Sequence, residues 1–305
     1  MYINFAHNLL KIYILFAIPH TMLIPYLALS GRIILLGVER IFVKKLGEKS
    51  DSISGTFLFF GLGTIFLLPT LFFVDIVLNT SILFYVTLSS FVYSIAFWLY
   101  VKSLSEGEAS LVSPLYNFNV FFLLILAVTF LGEKLSLFKV LGLIFLFYGV
   151  SFLNRKRNII ESFKAILLDK SCQFMIIASL LIAIGRTIDG NAIRITNPIL
   201  YAFYLNIGIS LFLFAYIIAK RNLSTTIKLF KEKTKIATVS GGINAYSYLF
   251  LLIAFTGIEI SIAEPASMIA MIITVILAGR LLKENIKERL LGVAIMFIGL
   301  WLLFL

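Results

Sequence analysis

Ten separate stretches of the chain are mainly apolar and almost free of charge, and this feature limits the fold more than any other. A helix needs about 20 mainly apolar residues to cross a bilayer. Hydrophobic residues make up 61% of the 305 positions, more than a water-soluble domain could bury. The stretches do not alternate as barrel strands do. The sequence therefore predicts an all-α membrane protein with ten transmembrane helices, expected at 20–43, 53–74, 81–104, 110–131, 137–153, 174–196, 198–219, 235–257, 261–282 and 288–305.

The two halves of the chain repeat one another. Several pairs recur in order at separations of 150 to 154 residues: Gly31-Arg32 with Gly185-Arg186, Arg40 with Arg194, Glu108 with Glu259, Pro114 with Pro265, Glu133 with Glu284, Gly142 with Gly292, and Gly149 with Gly299. Because each half holds an odd number of helices, the second copy must enter the membrane upside down. The sequence predicts two inverted five-helix repeats, an architecture found in transporters with a site near the midplane.

These repeats set the expected domain boundaries. Residues 20–153 form the first repeat, 154–173 a basic cytoplasmic linker, and 174–305 the second repeat. Residues 1–19 are apolar but too short for an independent span, and they lack the small-residue cleavage site of a signal peptide. We expect them to extend the first helix or to lie at the membrane interface.

Two short motifs resemble a known family. The segment Leu131-Gly132-Glu133-Lys134-Leu135, followed by Gly142 and Gly149, resembles the repeat signature of the EamA-type drug/metabolite transporter superfamily. The segment Leu282-Lys283-Glu284-Asn285-Ile286, followed by Gly292 and Gly299, is similar, with Lys283 in place of glycine. The resemblance covers about residues 20–305. It implies export or import of metabolites or drugs and does not indicate a particular substrate.

The basic residues predict the orientation in the membrane. The chain has 26 Lys and Arg against 15 Asp and Glu, a net charge of +11, but the basic residues lie in short loops. Lipid headgroups and membrane topology explain such basic residues better than nucleic-acid binding does. The odd-numbered loops hold nineteen basic residues, whereas the even-numbered loops and the termini hold four. By the positive-inside rule the odd-numbered loops are cytoplasmic.

Charged residues within the spans are the main candidates for a binding site. Arg32 and Arg186 lie near the middle of the first and sixth spans, where an unpaired charge is costly. Asp189 is three residues from Arg186 and could pair with it, and Glu39 shares a helix face with Arg32. These charges either stabilise the bundle as pairs or line a midplane cavity. In the second case an arginine would bind a carboxylate or phosphate through its planar fork.

Other polar residues receive more ordinary predictions. Asn117 and Tyr246 are uncharged polar groups within spans and could line the cavity. We expect Arg40 and Arg194 to snorkel from helix ends. Helix-end roles are predicted for five further residues, with Glu264 the least settled of them because it lies inside a span: Glu108, Glu133, Glu259, Glu264 and Glu284.

The leading functional hypothesis is a secondary transporter of a small polar metabolite, with an amino acid or organic anion favoured. There is no phosphate-binding glycine loop and no HExxH or GxSxG motif, so we expect neither ATP coupling nor an enzyme. One cysteine and two histidines predict no metal site and no cofactor. Expected partners are a small-molecule substrate and membrane lipids, in a monomer of the inner or plasma membrane. A membrane-embedded enzyme, a lipid flippase and a non-transporting scaffold are the alternatives.

Overall fold

The computed structural model describes residues 23–130, 136–154, 156 and 158–302, and every regular element within them is a helix. The predicted all-α fold class is confirmed. Residues 1–19 and Glu133 lie outside the described residues. The helices are α1 (Leu23–Gly47), α2 (Ser52–Leu67, followed by a 3-10 turn at Leu68–Phe73), α3 (Thr80–Glu106), α4 (Ala109–Leu115), α5 (Phe118–Phe130), α6 (Leu137–Val150), α7 (Ile159–Leu168), α8 (Lys170–Ala192), α9 (Pro198–Ala219), α10 (Leu223–Glu232), α11 (Thr234–Ala254), α12 (Ile260–Ser267), α13 (Ala270–Leu281) and α14 (Lys287–Leu302).

Among the described residues, seven segments are long and apolar enough to cross a membrane: Ser52–Phe73, Thr80–Glu106, Ala109–Leu126, Lys170–Ala192, Pro198–Ala219, Thr234–Ala254 and Ile262–Leu281. Helix α1 is about 37 Å long at 1.5 Å per residue, which also suffices to cross, but it carries several charges. Helices α6 and α14 are apolar but shorter, at 14 and 16 residues.

Two of the predicted spans are broken at matching places, about two turns after each span begins. Helices α4 and α5 meet at Tyr116–Asn117, and helices α12 and α13 meet at Met268–Ile269. Pro114 and Pro265 lie just before the breaks and lack the N–H that a regular helix needs. After each proline the backbone N–H groups bond to the carbonyl three residues back, as from Asn117 to Pro114 at 3.1 Å and from Met268 to Pro265 at 3.0 Å. The tighter turn redirects the chain beside the centre of the bundle.

The helices pack in three main pairs, α1 with α11, α3 with α8, and α6 with α14. Glycines allow the closest approach. A Cβ atom at Gly149 would lie 2.6 Å from the Gly292 carbonyl oxygen, and one at Gly299 would lie 2.6 Å from that of Gly142. The motif glycines therefore join α6 to α14 backbone to backbone.

The two polar stretches between spans contain short helices that the sequence reading did not predict. Helix α7 begins after Asn158, whose side chain accepts a hydrogen bond from the Glu161 N–H at 2.8 Å. It buries Ser162 and Ile166 and leaves Ile160 exposed. Helix α10 is equally short, with 10 residues. Segments of this length give too few turns for hydrophobic periodicity to separate them from polar loops.

Candidate functional site

Arg186 on α8 is buried at the centre of the bundle, with 1% of its surface exposed, and has several polar partners. Its Nη1 donates to the Tyr93 hydroxyl at 2.8 Å and to Asp189 Oδ2 at 3.2 Å. Its Nε forms an ion pair with Glu264, although the geometry is not that of a hydrogen bond and neither Glu264 oxygen accepts one. The predicted pairing of Arg186 with Asp189 is confirmed.

Asp189 has a complete shell of donors. Ser89 and Tyr93 of α3 donate to it at 2.9 and 2.5 Å, Tyr201 of α9 at 2.9 Å, and Tyr248 of α11 at 2.8 Å. These hydroxyls replace water around a buried carboxylate. The second half of the chain therefore holds a group of paired charges, one arginine with two carboxylates, in which Asp189 is the hydrogen-bonded carboxylate.

Arg32 and Glu39 on α1 are less well paired. Arg32 is 3% exposed, its Nη1 donates to the Ser247 hydroxyl at 2.6 Å, and its Nε has no hydrogen bond. Glu39 is 2% exposed and accepts from the Tyr100 hydroxyl at 3.3 Å, a long contact. No ion pair within 4.0 Å joins either residue to another described residue. A charged side chain at such depth costs from about 2.5 to over ~10 kcal/mol, and these two groups are compensated less well than Arg186 and Asp189.

A cavity lies between these charges. Arg32, Glu39 and Arg186 line it, together with tyrosines and phenylalanines that include Tyr116 and Tyr248. The space that the centre of a water molecule can occupy is about 10 Å³, room for roughly one water. All the empty space between the lining atoms, including the part open to the outside, amounts to about 370 Å³. The walls are mainly apolar with a few convergent polar groups, as in small-molecule sites.

Three of the sequence-predicted site residues do not line this cavity: Asp189, Asn117 and Tyr246. Asp189 pairs with Arg186, which does line it. Asn117 is buried at the break between α4 and α5, where its amide contacts Met271 and its Oδ1 has no hydrogen bond. Tyr246 donates to the Phe66 carbonyl at 3.2 Å and is absent from the cavity lining. Tyr248 lines the cavity, two residues further along α11.

Three predictions about charged residues were wrong or incomplete. Arg40 does not snorkel; it is completely buried, because α1 continues to Gly47 and places Arg40 two turns from the helix end. Glu264 is completely buried and pairs with Arg186 rather than serving a helix end. Glu284 does serve a helix end, but that of α4, whose Ala109 and Ser110 N–H groups donate to it at 2.9 and 2.7 Å.

A bundle of apolar helices around a buried, charged cavity defines a multi-pass membrane protein. Residues 23–155 match the EamA-like transporter family, which confirms the resemblance given by the repeat motifs and indicates a membrane protein of the transporter class.

Comparison with solved structures agrees with the fold. One crystal structure, described only as that of a protein, aligns with 91% of this chain and 95% of that chain, at a TM-score of 0.63 and 13% identity. At this identity the likeness shows the fold alone. No curated protein gives a significant match.

Proposed function

We propose that the chain is a secondary transporter that moves a small polar metabolite, an amino acid or an organic anion, by alternating access. The observation that carries the proposal is the cavity in which Arg32 keeps an unpaired Nε beside the poorly paired Glu39. A substrate carboxylate would satisfy the guanidinium, and an ammonium group would suit Glu39. Arg186, held by Asp189, would form the opposite wall, and Tyr248 would take the place expected for Tyr246.

We further propose ten spans in two inverted repeats, with 20–153 as the first, 154–173 as a cytoplasmic linker and 174–305 as the second. Matching contacts support the symmetry. Helix α1 packs on α11 as α8 packs on α3, and α2 packs on α11 as α9 packs on α3. Arg32 donates to Ser247 as Arg186 donates to Tyr93, with both pairs of equivalent positions 154 residues apart. The two broken helices would be the hinges on which the repeats rock.

Counterflow tests the transport proposal. Purified protein in liposomes is loaded with an unlabelled mixture of amino acids or of organic acids, and uptake of the labelled mixture is followed. We expect the matching internal pool to accelerate uptake, because a carrier returns faster when loaded. Flux that never saturates and does not respond to the internal pool would indicate a channel, and liposomes without protein give the background.

Arg32→Lys tests the binding group. Lysine keeps the charge but loses the planar fork. We expect the half-saturating concentration for exchange to rise by about tenfold or more, since a charged hydrogen bond contributes ~1.5–3 kcal/mol. Arg194→Lys is the control, because Arg194 is exposed just beyond α8. Unchanged affinity in Arg32→Lys would remove the anion-binding role.

A further inference from the structure

Arg40 is the most poorly satisfied charge in the part of the chain that the structure describes. Its side chain is completely buried in α1, and none of its three guanidinium nitrogens has a hydrogen bond. No described carboxylate lies within the 4.0 Å of an ion pair. Its guanidinium lies over the ring of Tyr116, whose centroid is 4.9 Å from the guanidinium carbon.

This stacking cannot replace a counter-ion. A ring face attracts a cation, but it accepts no hydrogen bonds from the five N–H groups of the guanidinium. Arginine stays protonated in proteins, so the side chain cannot escape the cost by losing its charge. The geometry therefore leaves a fixed positive charge with unused donors inside an apolar bundle.

The surroundings of Arg40 connect it to the central cavity. Tyr116 lines that cavity, and so does Glu39, the residue before Arg40. Ser113, one turn before Tyr116, is another buried side chain whose oxygen has no hydrogen bond. Arg40 lies eight residues after Arg32, about 12 Å further along the axis of α1. The two arginines thus adjoin one cavity at different depths.

We propose that Arg40 and Tyr116 form a second anion site adjoining the cavity, which takes a carboxylate or phosphate group. The planar fork of arginine matches two oxygens of such a group, which a spherical ion does not offer. The anion is either a second acidic group of the transported molecule, whose first is held by Arg32, or a separate inorganic anion. Only the first of these sources rests on the proposed transport function.

Thermal unfolding of the purified full chain in detergent tests the site without transport. The probes are inorganic phosphate, succinate and butyrate, at fixed pH and at an ionic strength set with sodium chloride. Succinate and butyrate have the same number of carbons but two and one carboxylates. We expect phosphate or succinate to raise the Tm of the wild-type protein. Arg40→Met should abolish the phosphate shift and reduce the succinate shift to that of butyrate. Arg194→Met, the exposed equivalent in the second half, should keep both shifts.

The pattern of shifts separates the two sources. A larger shift with succinate than with butyrate, equalised by Arg40→Met, assigns the site to a second acidic group of the ligand. A phosphate shift that Arg40→Met abolishes, with succinate no better than butyrate, assigns it to a separate anion. The proposal is overturned if wild type and Arg40→Met respond alike to every probe, even where Arg40→Met lowers the baseline Tm.

Arg40→Lys keeps the test decisive if the methionine variant does not fold. We expect it to need at least tenfold more phosphate or succinate for the same shift, and an unchanged dependence overturns the proposal. Failure of counterflow together with an Arg40-dependent shift would reject transport and leave the anion site standing. Counterflow without an Arg40-dependent shift would support transport and reject the anion site.

Discussion

Asp189 shows how a buried carboxylate is stabilised in an apolar bundle. Four hydroxyl groups from α3, α9 and α11 donate to it, and Arg186 adds a counter-charge. A hydrogen bond to a charged group contributes ~1.5–3 kcal/mol. Since the donors come from three different helices, Asp189 holds α8 to the rest of the bundle as well as completing the site.

Asp189→Asn should therefore destabilise the protein. Asparagine has the same shape, but its amide nitrogen would face hydroxyl donors and Arg186 would lose one of its two counter-charges. We expect the free energy of unfolding in mixed micelles to fall by about 3 kcal/mol or more, as when a buried pair is broken. Asp75→Asn, in the exposed connection between α2 and α3, is the control. Equal stability of the two variants would contradict this view of Asp189.

Sequence reasoning identified part of the site for a physical reason. Residues three apart on one helix are neighbours, so the contact of Arg186 with Asp189 could be predicted from spacing alone. The contact of Arg186 with Glu264 could not be predicted from spacing, because it depends on how α12 packs. The prediction that Tyr246 lines the cavity failed for the same reason, since Tyr248 lines it instead. Two residues apart on a helix they point to nearly opposite faces, and only the packing of α11 decides which face meets the cavity.

Glu284 joins two elements that are distant in sequence. Its carboxylate accepts from the N–H groups of Ala109 and Ser110 and, at 2.5 Å, from the Ser110 hydroxyl, at the start of α4. Arg289 of α14 donates to the same hydroxyl and pairs with Glu108. The connection between α13 and α14 is thereby fastened to the start of α4, at one end of the bundle.

Glu284→Gln should loosen this end of the bundle, because the amide accepts with one oxygen and has no charge. Cys172, buried at the start of α8, reports on it, since Ser103 of α3 donates to the adjacent Ser171 carbonyl at 2.6 Å. We expect a water-soluble maleimide to label Cys172 about tenfold faster, the factor that corresponds to 1.4 kcal/mol. Glu288→Gln, exposed in α14, should leave the rate unchanged. Equal labelling rates of Cys172 in the two variants would show that Glu284 does not hold this end of the bundle together.

The contact of α6 with α14 predicts that alanine at two different glycine positions has different effects on stability. In Gly149→Ala the new Cβ would lie 2.6 Å from the Gly292 carbonyl oxygen and 2.8 Å from the Met296 nitrogen, both backbone atoms that cannot rotate away. We expect a loss of ~1–3 kcal/mol, typical of overpacking. In Gly61→Ala the nearest atom, a ring carbon of Phe57, is at 3.7 Å. A fall in Tm confined to Gly149→Ala supports the contact, and equal behaviour contradicts it.

At the scale of the whole molecule, hydrogen bonds gather the odd-numbered loops at one end of the bundle. The Lys233 ammonium donates to the carbonyls of Lys45 and Glu48 at 2.8 and 2.7 Å, and Lys44 donates to that of Gly107 at 2.6 Å. Arg289 donates to the Leu153 carbonyl at 3.3 Å. The loops that hold nineteen of the 26 basic residues thus share one end.

The helix positions were the most predictable part of this architecture, because continuous apolar runs leave a membrane chain few other folds. The ends of the helices were less predictable. Helix α1 continues to Gly47 rather than ending at 43, and α8 begins at Lys170 rather than 174. Both helices run past the predicted ends because a charged side chain satisfies their terminal backbone groups. Lys233 donates to the last carbonyls of α1, and Asp169 accepts from an N–H group in the first turn of α8.

The shared basic end should face the cytoplasm, by the positive-inside rule. In a Cys172→Ser background, single cysteines replace Lys164 on α7, Lys231 on α10 and Asp75 between α2 and α3, three exposed positions. A membrane-impermeant maleimide added to intact cells should label only the Asp75→Cys variant, and permeabilised cells should label all three. The comparison controls for reactivity, since each position is its own reference after permeabilisation. Labelling of Lys164→Cys or Lys231→Cys in intact cells would reverse the orientation. The anion site of Arg40, nearer the C-terminal end of α1 than Arg32, would then lie on the outer side of the cavity.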